Sequence, residues 1–178
     1  MTKPYRTFTI LLAALLIVCG FESPAVSQYG PGIRGDVGSV LTDAELTRVM
    51  PTSFYFQGQN ASTQLRNSAA ARFGNRHVIV GMVDTSGYAA DVRAKYEGFF
   101  ITDTVIRIND KKLEIGAYGF GFSDDGKMQI LNLAGAQILS VTTTNDGSLK
   151  RPRPLMMVES GGSIRLYTGK QYVTVTVK

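Results

Sequence analysis

Tryptophan is absent from this 178-residue chain, and cysteine and histidine occur once each, as Cys19 and His77. A single cysteine excludes any disulfide within the chain, and with it the covalent frame on which many small exported domains depend. It also excludes Cys-based zinc and iron–sulfur centres, which need several thiolates. One histidine cannot supply a multi-histidine metal site. Without tryptophan, a carbohydrate platform would have to be assembled from tyrosines. Charge of one sign is also scarce: 19 basic against 14 acidic residues leave a net charge of +5. That is far from the dense basic footprint of a nucleic-acid binder. These residues lead us to expect no metal, no cofactor and no nucleic-acid partner.

Long apolar runs are missing too, with one exception at the N-terminus. Lys3 and Arg6 precede Phe8–Gly20, which only Thr9 interrupts, and Ala25-Val26-Ser27 follows with small residues three and one before the exit. A charged head, a short apolar centre and a small-residue exit predict a secretory signal peptide over residues 1–27. The run is shorter than the ~20 residues a membrane-spanning helix needs, which places a retained anchor second. A lipid-modified Cys19 is disfavoured because Val18, directly before it, is not small. Cleavage after Ser27 would yield a chain beginning at Gln28 with no cysteine, addressed to the periplasm or the extracellular medium. Its 151 residues (178 minus 27) suffice for one domain with a substantial core. Removing Lys3, Arg6 and Glu22 leaves 17 basic and 13 acidic residues, a net +4. No further stretch is long and apolar enough to cross a bilayer.

Residues 28–41 are rich in glycine and poor in large apolar groups, which predicts a flexible leader ahead of a single β domain over 42–178. Thr42 and Glu45 have the spacing of a capping box, so a short helix is expected from about Asp43 to Met50, stopped by Pro51. From Ser53 onward the pattern is that of strands. His77–Asp84 is apolar on both faces, as a central strand would be. In Tyr88–Glu97 apolar and charged residues alternate strictly, which favours a strand over one helical turn. Thr104–Ile108 and Leu113–Phe122 flank the polar Asn109–Lys112 and are expected to pair as a hairpin. Val173, Val175 and Val177 share one face of a last strand, opposite Tyr172, Thr174 and Thr176.

Within Leu113–Phe122 the apolar residues change from odd to even positions, which predicts a β-bulge at Gly116-Ala117. Beyond it, Ala117, Gly119 and Gly121 form a bare face. Either another piece of backbone or a ligand must approach it closely, and backbone is the simpler occupant. With roughly nine or ten strands and turns rich in Gly, Asn and Asp, the expected fold is all-β. It is an antiparallel β-sandwich with one short N-terminal helix, the alternative being a closed β-barrel.

Candidate chemistry is thin. His77 would need a nucleophile and an orienting acid, and Asp84 and Ser86 are the nearest in sequence. An extended strand nevertheless separates His77 from Asp84 by about 20 Å. The run Asp84–Tyr88 has the composition of an ordinary tight turn. Asp124-Asp125-Gly126 lacks the alternating acids of a calcium loop and reads as a hairpin turn. Lys150, Arg151 and Arg153, stiffened by Pro152 and Pro154, form the densest basic cluster and would suit an anionic polymer or head group. Tyr88 and Tyr118 are candidate contacts to a ligand. Asn60-Ala61-Ser62 matches a glycosylation acceptor, which matters only in a eukaryotic secretory route. The expected function is therefore an exported, non-catalytic β module with a binding or envelope role. A carrier of a small apolar ligand inside a barrel, or a hydrolase using His77 with Asp84 or Ser86, stands behind it.

Overall fold

The computed structural model describes residues 37–177, and the signal peptide expected over 1–27 lies outside them. The described chain runs β1 (Gly38–Val40), α1 (Asp43–Val49), β2 (Ser53–Phe56), β3 (Gln59–Phe73), β4 (Arg76–Val83), α2 (Ala90–Arg93), β5 (Gly98–Thr102) and β6 (Ile106–Ile108). It continues through β7 (Lys111–Leu113), β8 (Gly116–Ser123), β9 (Lys127–Leu131), β10 (Gln137–Thr142), β11 (Thr144–Asn145), β12 (Arg153–Ser160), β13 (Ser163–Gly169) and β14 (Gln171–Val177). Every pairing is antiparallel. Eight strands form one sheet in the order β1-β3-β4-β5-β8-β9-β10, with β2 on β3. Six form the other as β12-β13-β14-β6-β7, with β11 on β14. The two sheets do not close into a barrel, so the fold is the β-sandwich expected.

Side-chain alternation builds the inner core. Val78 and Val80 of β4, Phe100 of β5, Phe120 of β8 and Ile130 of β9 point inward from the larger sheet. They meet Ile106, Ile108, Ile164, Leu166, Val173 and Val175 of the smaller one, all fully buried. Val173 and Val175 keep the face expected of them.

The register change at Leu113–Tyr118 has a different cause from the bulge expected at Gly116-Ala117. The chain changes sheets there: β7 pairs with β6 in the smaller sheet, and β8 pairs with β5 and β9 in the larger. An inward side chain is odd-numbered before the crossing and even-numbered after it because the sheet has changed. The hairpin partner of β6 is accordingly Lys111–Leu113, and the turn shrinks to Asn109-Asp110. An earlier crossing follows β5. There the Thr102 hydroxyl donates to Thr104 O at 2.7 Å, and Asp103 Oδ1 accepts the His77 N–H at 2.7 Å.

The larger sheet has a second buried face. Tyr88–Glu97, expected as a strand, is instead a turn followed by the four-residue α2. Only every second member of the apparent alternation is used: Tyr88 and Tyr96 are buried and Val92 packs with them, while Ala90 and Ala94 are exposed. The operative spacing is four, the helical one, rather than two. This arm and β2 lay Phe54, Phe56, Tyr88 and Tyr96 across the outer face, against Val83 and Phe99. The bare face of β8 receives them. A Cβ at Gly119 would lie 2.5 Å from the Phe56 ring, and one at Gly121 would lie 2.4 Å from Lys95 O. Backbone is thus the occupant at Gly121 and an aromatic ring at Gly119.

At the N-terminal side, Gly38–Val40 are a strand on β3, so the leader expected as far as residue 41 is ordered from Gly38. Helix α1 begins as its sequence dictates. Thr42 Oγ1 accepts the Glu45 N–H, and Glu45 Oε2 accepts the Thr42 N–H at 2.9 Å. Those bonds, backbone first, hold the Glu45 carboxyl below its ordinary range.

The two open sides of the sandwich are closed unequally. Where β7 approaches β10, Lys111 Nζ donates to Ser140 O at 2.6 Å and Asn109 Nδ2 donates to Thr142 O at 2.9 Å. Where β1 approaches β12, Val40 N–H donates to Glu159 Oε1 at 2.9 Å, but bonds of this kind stay at the β1 end.

Candidate functional site

β1 and β4 pair with the same residues of β3, Ala71–Phe73, and therefore flank it on opposite sides. β2 pairs with Gln59–Ser62, and Thr63 N–H donates to Thr52 O at 2.9 Å while Thr63 faces Val83 on β4. So β1 and β2 share one edge of β3, and α1 arches from one to the other. Between them β3 loses its ladder. Thr63 pairs with Val83 and Ser68 with Gly81, so four residues, Gln64–Asn67, stand opposite Met82 alone. A bulge this wide needs its own support. Ser68 Oγ donates to Gln64 O at 2.9 Å, Asn67 Nδ2 to Gln64 Oε1 at 2.8 Å, and Gln64 Nε2 to Val83 O at 3.0 Å.

The bulge floors a surface groove of about 450 Å³, lined by Asp43, Leu46 and Thr47 of α1, Leu65–Ser68 of β3, and Arg153 and Pro154 of β12. Arg66 and Arg153, 87 positions apart (153 minus 66), are both exposed on it, against one carboxylate, Asp43. Leu65, 44 % exposed, adds an apolar contact. The loop before β12, bearing Lys150 and Arg151, is anchored at its start. Asp146 Oδ2 accepts the Tyr167 hydroxyl at 2.9 Å, and Asp146 N–H donates to Lys170 O at 2.8 Å. The Ser148 hydroxyl and then Tyr167 hold the Asp146 carboxyl below its ordinary range.

Of the basic cluster read from sequence, Arg153 lines the groove, while Lys150 and Arg151 are exposed on the preceding loop. Arg66 went unrecognised, because Gln64–Arg72 carries no periodicity that marks it as part of a strand. The other candidates lie elsewhere. His77 and Asp84 sit at opposite ends of β4 and do not converge. His77 Nδ1 lies 3.7 Å from Asp103, at the first sheet crossing. Asp84 Oδ1 accepts the Ser86 N–H at 3.0 Å in a turn, and hydrogen bonding from Ser86 lowers its pKa. Tyr88 is buried, its hydroxyl donating to Phe56 O and Gln59 O at 3.2 Å each, and burial raises its pKa. Tyr118 is half-buried, its hydroxyl donating to Glu114 O at 3.0 Å.

A second groove, of about 380 Å³, lies between β7 and β10 and is lined by Asn109–Lys111, Lys127 and Ser140–Thr142. Its polar groups are committed to one another: Asn109 and Lys111 hold the edge of β10, and Lys127 pairs with Asp125.

Among the described residues no group of three or more His, Cys, Asp or Glu side chains is placed to hold a metal ion. No helix among them is long and apolar enough to cross a membrane. Comparison with family models, curated proteins and solved structures found no match for this chain.

Proposed function

We propose that this chain is an exported, non-catalytic binding module whose contact surface is the groove over the β3 bulge, and that its partner is an extended anionic chain. One observation carries the reading: the fold brings Arg66 and Arg153 to the same groove from distant parts of the sequence. Two guanidiniums against one carboxylate favour anionic groups, which they can meet bidentately. Lys150 and Arg151 extend the positive charge along the loop. The groove's own groups suit binding better than turnover. It holds no histidine, and the Ser68 hydroxyl is engaged with Gln64 O. The N-terminal signal sequence supports an address in the periplasm or outside the cell. A carrier of apolar ligands would rest on a closed barrel, and a hydrolase on His77 meeting Asp84 or Ser86; neither arrangement supports those readings here.

The test uses the chain from Gln28 onward with polyglutamate and polyphosphate as probes, measured by titration calorimetry at low and at physiological salt. Binding that weakens with salt, and that Arg66→Ala with Arg153→Ala reduces at least tenfold, supports the assignment. Binding unchanged by the double substitution would reject the groove.

A further inference from the structure

Resting on that reading, we infer that the occupant is a polypeptide: an extended acidic segment of a partner protein that adds a short strand along Gln64–Asn67 of β3. Charge alone does not distinguish a peptide from a polyphosphate. The floor of the groove does. Along the edge shared by β1 and β2, Leu41 N–H donates to Ala70 O at 2.9 Å, and Thr63 N–H donates to Thr52 O at 2.9 Å. Between these two bonds, Gln64–Asn67 have no ladder partner on either side among the described residues. Unpaired edge backbone is the recognised template for strand addition, in which main-chain hydrogen bonds supply affinity and side-chain contacts supply selectivity.

The opposite open side is an internal control. There the chain's own Lys111 and Asn109 occupy the edge carbonyls of β10, as a protected edge requires. On the β3 side the equivalent bonds stop with Val40 and Glu159, short of the bulge. The neighbouring rim of β12 begins at Arg153-Pro154, and Pro154 has no N–H to offer. A visiting strand would therefore pair with β3 and lay its carboxylates on Arg66 and Arg153. Leu65 would receive an apolar side chain from the segment.

A blocked hexapeptide of alternating glutamate and valine, the same peptide with alternate amides N-methylated, and polyphosphate distinguish the possibilities. The two peptides carry identical charge, but only the first can donate and accept a full set of strand hydrogen bonds. Strand addition predicts that the unmodified peptide binds at least tenfold more tightly than its N-methylated form. It also predicts slower hydrogen exchange at the Leu65–Asn67 amides, with both effects lost in Arg66→Ala/Arg153→Ala. Equal binding of the two peptides, or binding of polyphosphate alone, would overturn strand addition while leaving an anion-binding groove. If none of the three binds, the groove assignment itself falls.

Discussion

The larger sheet is buried on both faces, and the two burials are unlike. Its inner face meets a second sheet through aliphatic side chains and three phenylalanines, Phe73, Phe100 and Phe120. Its outer face meets an arm of its own chain through rings. Phe56 and Tyr96 stack at 3.9 Å, Tyr88 meets Tyr96 edge-on at 5.2 Å, and Phe54 stacks on Phe99 at 5.0 Å. The inner core is held by apolar volume removed from water, spread over many alternating positions. The outer core is held by fit, rings and backbone seated where β8 has no side chains. The inner face should therefore suffer most from losing atoms, and the outer face from gaining them.

Four measurements sharpen that contrast or break it, each by chemical denaturation with hydrogen exchange as the local readout. Phe120→Ala on the inner face should cost about 3–5 kcal/mol of global stability, the range for a fully buried phenylalanine. Gly121→Ala on the outer face should cost about 1–3 kcal/mol although it adds only one methyl, because the obstacle is the Lys95 backbone. Its exchange signature should be confined to the arm, residues 84–97. If Gly121→Ala leaves both stability and exchange unchanged, the idea of burial by close fit is wrong.

Tyr96→Phe should be neutral or stabilising by up to about 1 kcal/mol, since the buried Tyr96 hydroxyl has no hydrogen-bond partner. Burial and the adjacent Tyr88 push that phenol well above its ordinary pKa, so it stays neutral through the accessible range. A clear loss of stability on removing the hydroxyl would mean that it is bonded.

The smallest effect concerns Glu97, which joins the arm to β5. Burial raises its pKa above the ordinary 4.5, against a smaller opposing effect of the Phe122 amide. A carboxyl raised on folding binds more protons in the native state, so its contribution to stability is intact below pH 4.5 and lost as pH rises through the folded value. Glu97→Gln should remove that slope and firm the arm at neutral pH. A native protein whose stability rises with pH across this interval, with the slope unchanged in Glu97→Gln, would contradict the assignment.

The inner face was legible residue by residue, since alternation in β4 and β14 reports a pleated strand beside a core. The capping box of Thr42 and Glu45 was legible as well, because it is a local arrangement satisfied within one turn. The arm was not. Tyr88, Ala90, Val92, Ala94 and Tyr96 satisfy a period of two and a period of four at once, and only the depression over Gly119 and Gly121 selects the second. The candidate site was half legible: Arg153 belongs to a visible basic cluster, whereas Arg66 lies in a stretch whose pairing is interrupted on both sides.

What the sequence by itself determined is local and periodic: strands that alternate, turns supplied with glycine and aspartate, a capped helix, and the absence of any covalent clamp. Only tertiary structure decided which face each apolar residue covers once the chain has crossed from one sheet to the other, and which distant arginines share a groove. Periodicity reports a residue's neighbours along its own strand. The partner sheet, the gap in an edge and the seat for a ring arise between segments, where no single stretch of sequence carries the signal.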